Sequence, residues 1–215
     1  MNDKKWVWHR RLGHVNWRLI SKLSKLQLGK SLLNIDYHSD ALCGACHKGK
    51  IVKSSFKTKD IVSTSRPLEL LHIDLFGPIN IASLYESKYG FVIVDDYNIW
   101  TWVKFLRSKD NAYDVFSNFC TQIQFEKEMK ILKVSDHGGE FENEPFETFC
   151  ENHGIIHEFS SSRTPQQNEV VERKSRTLQE MARTMIHENN LAKHFWAEEV
   201  NTTCYVQNRI YMMSQ

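Results

Sequence analysis

No apolar run in this chain approaches the roughly 18 residues that a membrane-crossing helix needs. The start, Met1-Asn2-Asp3-Lys4-Lys5-Trp6, is charged but has no apolar stretch behind it, which argues against a secretory signal peptide. Internal repeats and low-complexity tracts are absent, so neither a solenoid nor a biased tail is expected. Cysteine is sparse: there are five, an odd number, and two of them sit in Cys43-Gly44-Ala45-Cys46. That disfavours a disulfide framework and favours a metal site in a reducing compartment.

What is present is ordinary globular composition, 41% hydrophobic and 25% charged, over 215 residues. The length suits one domain of usual size plus a small one. The net charge of +2 conceals a division: residues 1–66 carry 14 Lys and Arg against 4 Asp and Glu, and the remainder carries 14 against 22. A basic front joined to an acidic body suggests a polyanion-binding module beside a domain whose carboxylates hold cations.

Hydrophobic periodicity predicts a helix over 16–28, through Leu19, Ile20, Leu23 and Leu26. Residues 53–66 are basic, rich in Ser and Thr and without apolar period, and read as a linker. Strands are predicted over 70–75, 89–95, 100–106, 131–134 and 155–159, and helices over 109–127, 144–153, about 170–187 and from about 191. Asn143 is the expected cap and Gly154 the expected stop of the second of these helices. Three consecutive strands, then alternating helices and strands, imply an α/β domain with a mixed sheet flanked by helices.

Two constellations carry chemistry. In the first, Trp8-His9-Arg10-Arg11-Leu12-Gly13-His14 supplies two imidazoles and Cys43 and Cys46 supply two thiolates. That donor set makes a closed tetrahedral zinc site, which a module with so few bulky apolar side chains needs as a staple. His47 and His38 are the competing donors. His47 adjoins Cys46, and neighbouring residues rarely face one ion together; His38 lies in a polar stretch. Trp6, Trp8 and Trp17 read as a small aromatic core of this module rather than as a base-stacking surface.

In the second constellation, Asp74 lies inside the apolar run Leu71-His72-Ile73-Asp74-Leu75, where an acid is costly unless it is paired or binds metal. Asp136 stands in Ser135-Asp136-His137-Gly138-Gly139-Glu140-Phe141, at a strand end before a glycine turn. Glu172 lies in the first turn of the helix that follows Thr164-Pro165-Gln166-Gln167-Asn168-Glu169. Asn168, Glu172, Arg176 and Gln179 then recur on one helical face. That face suits phosphate contact, although a Glu172–Arg176 surface ion pair would use it equally well.

These motifs, in this order and with this spacing from Asp136 to Glu172, resemble the pre-integrase zinc domain and integrase core of copia-type retrotransposon polyproteins, over essentially the whole chain. The resemblance implies a pre-integrase module over 1–53, a linker over 54–66 and a ribonuclease-H-like catalytic core over 67–215. Asp74, Asp136 and Glu172 would be the catalytic acids, holding two Mg²⁺ or Mn²⁺ ions for in-line phosphoryl transfer. His9, His14, Cys43 and Cys46 would hold one structural Zn²⁺, and Asn168, Lys174, Arg176 and Gln179 would contact nucleic acid. The implied function is DNA integration, with end processing and joining of element 3′-ends to target DNA. The alternative is a catalytically decayed, nucleic-acid-binding remnant. The implied partners are double-stranded DNA and further copies of the chain on DNA, with no membrane, and the implied location is cytoplasmic virus-like particles and the nucleus. Three positions depart from relatives. Glu169 stands where Gly is usual and Ser162 where Pro is frequent. The strand before Asp136 is one basic residue short, which can change the face that a strand side chain occupies.

Overall fold

The computed structural model describes residues 3–28, 32, 43–49, 64–136, 141–159 and 165–214. The linker expected over 54–66 lies largely outside these residues, as do His38, Glu140 and Ser162.

Five strands form one mixed sheet: β1 (Leu70–Phe76), β2 (Tyr89–Asp95), β3 (Thr101–Leu106), β4 (Lys133–Asp136) and β5 (Ile156–Phe159). The spatial order is β3-β2-β1-β4-β5. β1 is antiparallel to β2 and β2 to β3, whereas β4 runs parallel to both β1 and β5. In β2 the run Phe91-Val92-Ile93-Val94 is wholly buried, so both faces of the sheet are covered there. One face carries Leu71, Ile73, Phe91, Ile93 and Val134 into a core completed by α4 (Ala112–Lys127) and α5 (Glu144–His153). α4 contributes Phe116, Phe119 and Ile123, and α5 contributes Phe146 and Phe149. Asn143 caps α5 by accepting from the Phe146 N–H at 3.1 Å, and Gly154 ends it in a left-handed conformation, as its sequence predicts. The expected mixed sheet with flanking helices is therefore the observed architecture.

The other helices are α1 (Asp3–Arg11), α2 (Trp17–Lys25) and α3 (Gly44–Gly49), from the front of the chain, and α6 (Pro165–Glu188) and α7 (Trp196–Ser214), from later in it. Several boundaries differ from the periodicity reading. α6 begins at Pro165, where a fixed φ and a missing N–H suit the first turn of a helix, so the helix starts ahead of the expected position near 170. β4 lies at Lys133–Asp136 rather than 131–134, which brings Asp136 inside the strand. α1 has no counterpart among the expected elements.

The chain resolves into two compact units that cut it differently from the linear division at 53 and 66: residues 54–176, and residues 1–53 together with 177–215. The second unit has its own apolar core, in which Val15, Ile20, Leu23 and Leu32 join Met181 of α6 and Ile210 of α7. Burial of this mixed set is what makes 177–215 part of the front module. α1–α3 alone present too few large apolar side chains to close a core.

Candidate functional site

The zinc constellation is assembled by two local chain reversals. α1 ends in a paired cap, with the His14 N–H donating to the His9 carbonyl at 2.8 Å and the Gly13 N–H to the Arg10 carbonyl at 2.9 Å. Gly13 takes the left-handed φ of +66° that this motif requires, and a Cβ there would also press on the Met181 methyl. The result folds His14 back beside His9, with ring centroids 4.8 Å apart. On the other side, the Cys43 carbonyl accepts the His47 N–H at 3.0 Å, which starts the short helix α3 and sets Cys46 on the same side as Cys43. Gly49 at the end of that helix is required by close approach, because a Cβ would collide with Thr184 of α6.

One donor atom from each of His9, His14, Cys43 and Cys46 lies within 4.8 Å of every other. Cys46 Sγ is 3.3 Å from His9 Nε2 and 3.5 Å from His14 Nδ1, and Cys43 Sγ is 3.6 Å from His14 Nδ1. Tetrahedral Zn²⁺ with ordinary Zn–S and Zn–N bonds would set such pairs about 3.6 Å apart. The donor set and its spacing therefore fit zinc. His47 is exposed and outside the group, in line with the sequence reading.

The surroundings fix which ring nitrogen each histidine offers. His9 Nδ1 donates to the Val15 carbonyl at 3.0 Å, leaving Nε2 toward the sulfurs. Burial, followed by the neighbouring His14, pushes the His9 pKa down to about 4, so the ring is held in the neutral form that a ligand needs. Trp17 stacks on it at 4.5 Å and Trp6 meets it edge-on at 5.6 Å. The tryptophans thus wall the site, as the small-core reading expects. The three other cysteines are buried. Burial pushes the Cys150 thiol up to about 11 and the Cys120 thiol higher, which makes these two poor ligands.

The carboxylates are placed by the sheet. Asp74 is half-buried in β1, and Asp136 ends β4 with only 3% of its surface exposed. Leu71 pairs with Val134 and His72 with Ser135 in the parallel ladder, so one further step sets Asp136 beside Ile73, one residue from Asp74. Both acids stand at the same end of the sheet. Strand alternation gives Asp136 the parity of Val134, a core residue, and gives Asp74 the parity of His72 and Ser135. Glu172 is exposed on α6. Among the described residues, His9, His14, Cys43 and Cys46 are the one group of three or more such donors set to share an ion, and the three acids do not form another.

Of the predicted nucleic-acid contacts, Arg176 and Gln179 are half-buried on α6, and the side chains of Asn168 and Glu169 lie outside the described residues. Lys174 differs from these in its burial. It is 5% exposed, because position 174 falls on the inward side of α6 with Val171, Ser175 and Leu178, so it is not a surface cation.

Comparison with known proteins agrees with both halves of this description. The GAG-pre-integrase domain family matches residues 1–51 and the integrase core domain family residues 64–165. The retrovirus-related Pol polyprotein from transposon TNT 1-94 of Nicotiana tabacum is 36% identical over 94% of the chain. That from transposon RE2 of Arabidopsis thaliana is 31% identical over 94%. The chain spans only 15% and 14% of those polyproteins. In fold it resembles a chain of the simian T-cell lymphotropic virus intasome solved by cryoEM with PP2A regulatory subunit B56 gamma. The TM-score is 0.50 at 11% identity, over 66% of this chain and 50% of that one. That likeness is one of fold, and it agrees with the ribonuclease-H-like mixed sheet expected from the sequence. With the two domain families matched in sequence order and 94% of the chain aligned to each transposon polyprotein, the chain belongs to the pre-integrase and integrase segment of retrotransposon Pol polyproteins.

Proposed function

We propose that this chain carries out DNA integration: metal-dependent trimming of a DNA 3′-end by water, then attack of the resulting 3′-hydroxyl on target DNA. Asp74, Asp136 and Glu172 are the acids assigned to the reaction. The observation that carries the reading is the parallel register of β1 and β4, which sets Asp74 and Asp136 one step apart at one end of the sheet. Hard carboxylate oxygens suit a pair of Mg²⁺ or Mn²⁺ ions, which would stabilise the attacking and leaving oxygens. Arg176, one helical turn beyond Glu172, would position a phosphate, with Asn168 and Gln179 on the same face. Double-stranded DNA is the substrate class and further copies of the chain are the partners. Cytoplasmic particles and the nucleus are the proposed sites of action.

A second reading, a nucleic-acid-binding remnant that no longer joins DNA, is favoured by one observation: Asp136 has the strand parity of the core residue Val134 rather than that of Asp74. Incubating the intact chain with Mn²⁺ and a duplex ending in the element's terminus separates the readings. Joined product, lost to background in Asp74→Asn and Glu172→Gln, is the expected outcome. Cleavage without joining would make the chain a nuclease, and neither product with retained DNA binding would make it the remnant.

A further inference from the structure

The zinc donors lie within residues 9–46, yet the carboxylate that touches them comes from the far end of α6. Glu188 Oε2 accepts from His14 Nε2 at 2.5 Å, and Glu188 Oε1 accepts from Arg10 Nε at 2.7 Å. His14 is bound on its other side, where Nδ1 faces Cys43 and Cys46. We propose that Glu188 is the positioning residue of the zinc site. It holds His14 in the tautomer that leaves Nδ1 free for the ion, and Arg10 holds Glu188 in turn. The proposal rests on the zinc reading of the four donors.

Three observations support it. A carboxylate that takes the outer N–H of a metal-bound imidazole fixes the ring's orientation and raises its basicity. An acid in the last turn of a helix is electrostatically misplaced, because that end already carries partial negative charge. Glu188 ends α6, so the two cationic or donor groups on it offset a placement that the helix itself opposes. Finally, Met181, Thr184 and Glu188 recur at helical spacing and meet Gly13, Gly49 and His14 in turn, so one stripe at the end of α6 is shaped to the zinc module.

The test uses the full chain, with zinc affinity measured by competition against a chromogenic chelator and thermal unfolding measured with and without zinc. Glu188→Ala is expected to weaken zinc binding about 10- to 100-fold. It should shrink the zinc-dependent rise in Tm while leaving the zinc-free Tm close to that of the parent. Glu188→Gln, which keeps the shape and one acceptor oxygen, should fall between. If Glu188→Ala lowers both Tm values equally and zinc affinity stays within twofold of the parent, Glu188 is a packing residue and the proposal is overturned. Should Glu188→Ala not fold, the affinity of Glu188→Gln decides, and a value equal to the parent's overturns it likewise. A parent chain that binds no zinc would instead remove the four-donor reading itself.

Discussion

Asp95 closes β2 with its carboxyl buried, accepting the Tyr97 N–H at 3.3 Å. Desolvation is the main cause that pushes its pKa up to about 6, above the value near 4 of an unfolded chain. Between these values the folded state keeps a proton that the unfolded state releases. The group's contribution is therefore fully present below about pH 4 and is lost as pH rises through 6. Asp95→Asn should remove that loss, making the variant more stable than the parent by about 1–2 kcal/mol at pH 7.5 and nearly equal to it at pH 4. Urea unfolding at the two pH values checks this, and a difference independent of pH would refute it. Single residues also mark how far sequence could be read. The grouping of His9, His14, Cys43 and Cys46 is legible because such donors are few and the two pairs are locally spaced. Glu188 is not, because it is 174 positions from His14 and nothing local announces the contact. Lys174, which the resemblance assigns to nucleic acid, is buried, and charge in a sequence does not reveal which side of a helix is covered.

Among the elements, those with a strong period or a chemical punctuation mark were legible: β2 by its apolar run, α5 by Asn143 and Gly154. α1 escaped because its nine residues, DKKWVWHRR, carry no apolar stripe, and its end is defined by backbone hydrogen bonds to Gly13 and His14. β4 shows what a shift of two residues costs. In its observed register Val134 takes the core position, and Asp136 follows it on the same parity. Inserting one arginine between Val134 and Ser135 would move Asp136 to the parity of Asp74 while leaving Val134 in place. Strand transfer should then rise by about tenfold or more over the parent, given the steep dependence of such reactions on sub-ångström placement. An insertion variant that folds with the parent's far-UV spectrum and joins DNA no faster would show that strand parity is not what limits this copy.

At the scale of the whole molecule, charge and motif order suggest two parts in succession, and the compact units of the structure divide the chain otherwise. Sequence divides a polypeptide linearly, whereas burial assigns 177–215 to the same compact unit as 1–53. Removing zinc with a chelator should therefore loosen more than the front of the chain. Hydrogen exchange is expected to quicken over residues 3–28, 43–49 and 177–210 together, while the amides of β1, β2 and β4 stay protected. Exchange confined to the front residues would contradict a shared unit.

That shared unit bears on how such elements trade parts. A recombination crossover near position 66 would look clean on paper, exchanging one metal-binding head for another. Yet the incoming head would meet a methionine, a threonine and a glutamate on α6 shaped for a different neighbour. Hybrids of this kind should survive only when the tail beyond 177 travels with the head, so that the two ends of the gene segment are inherited as one.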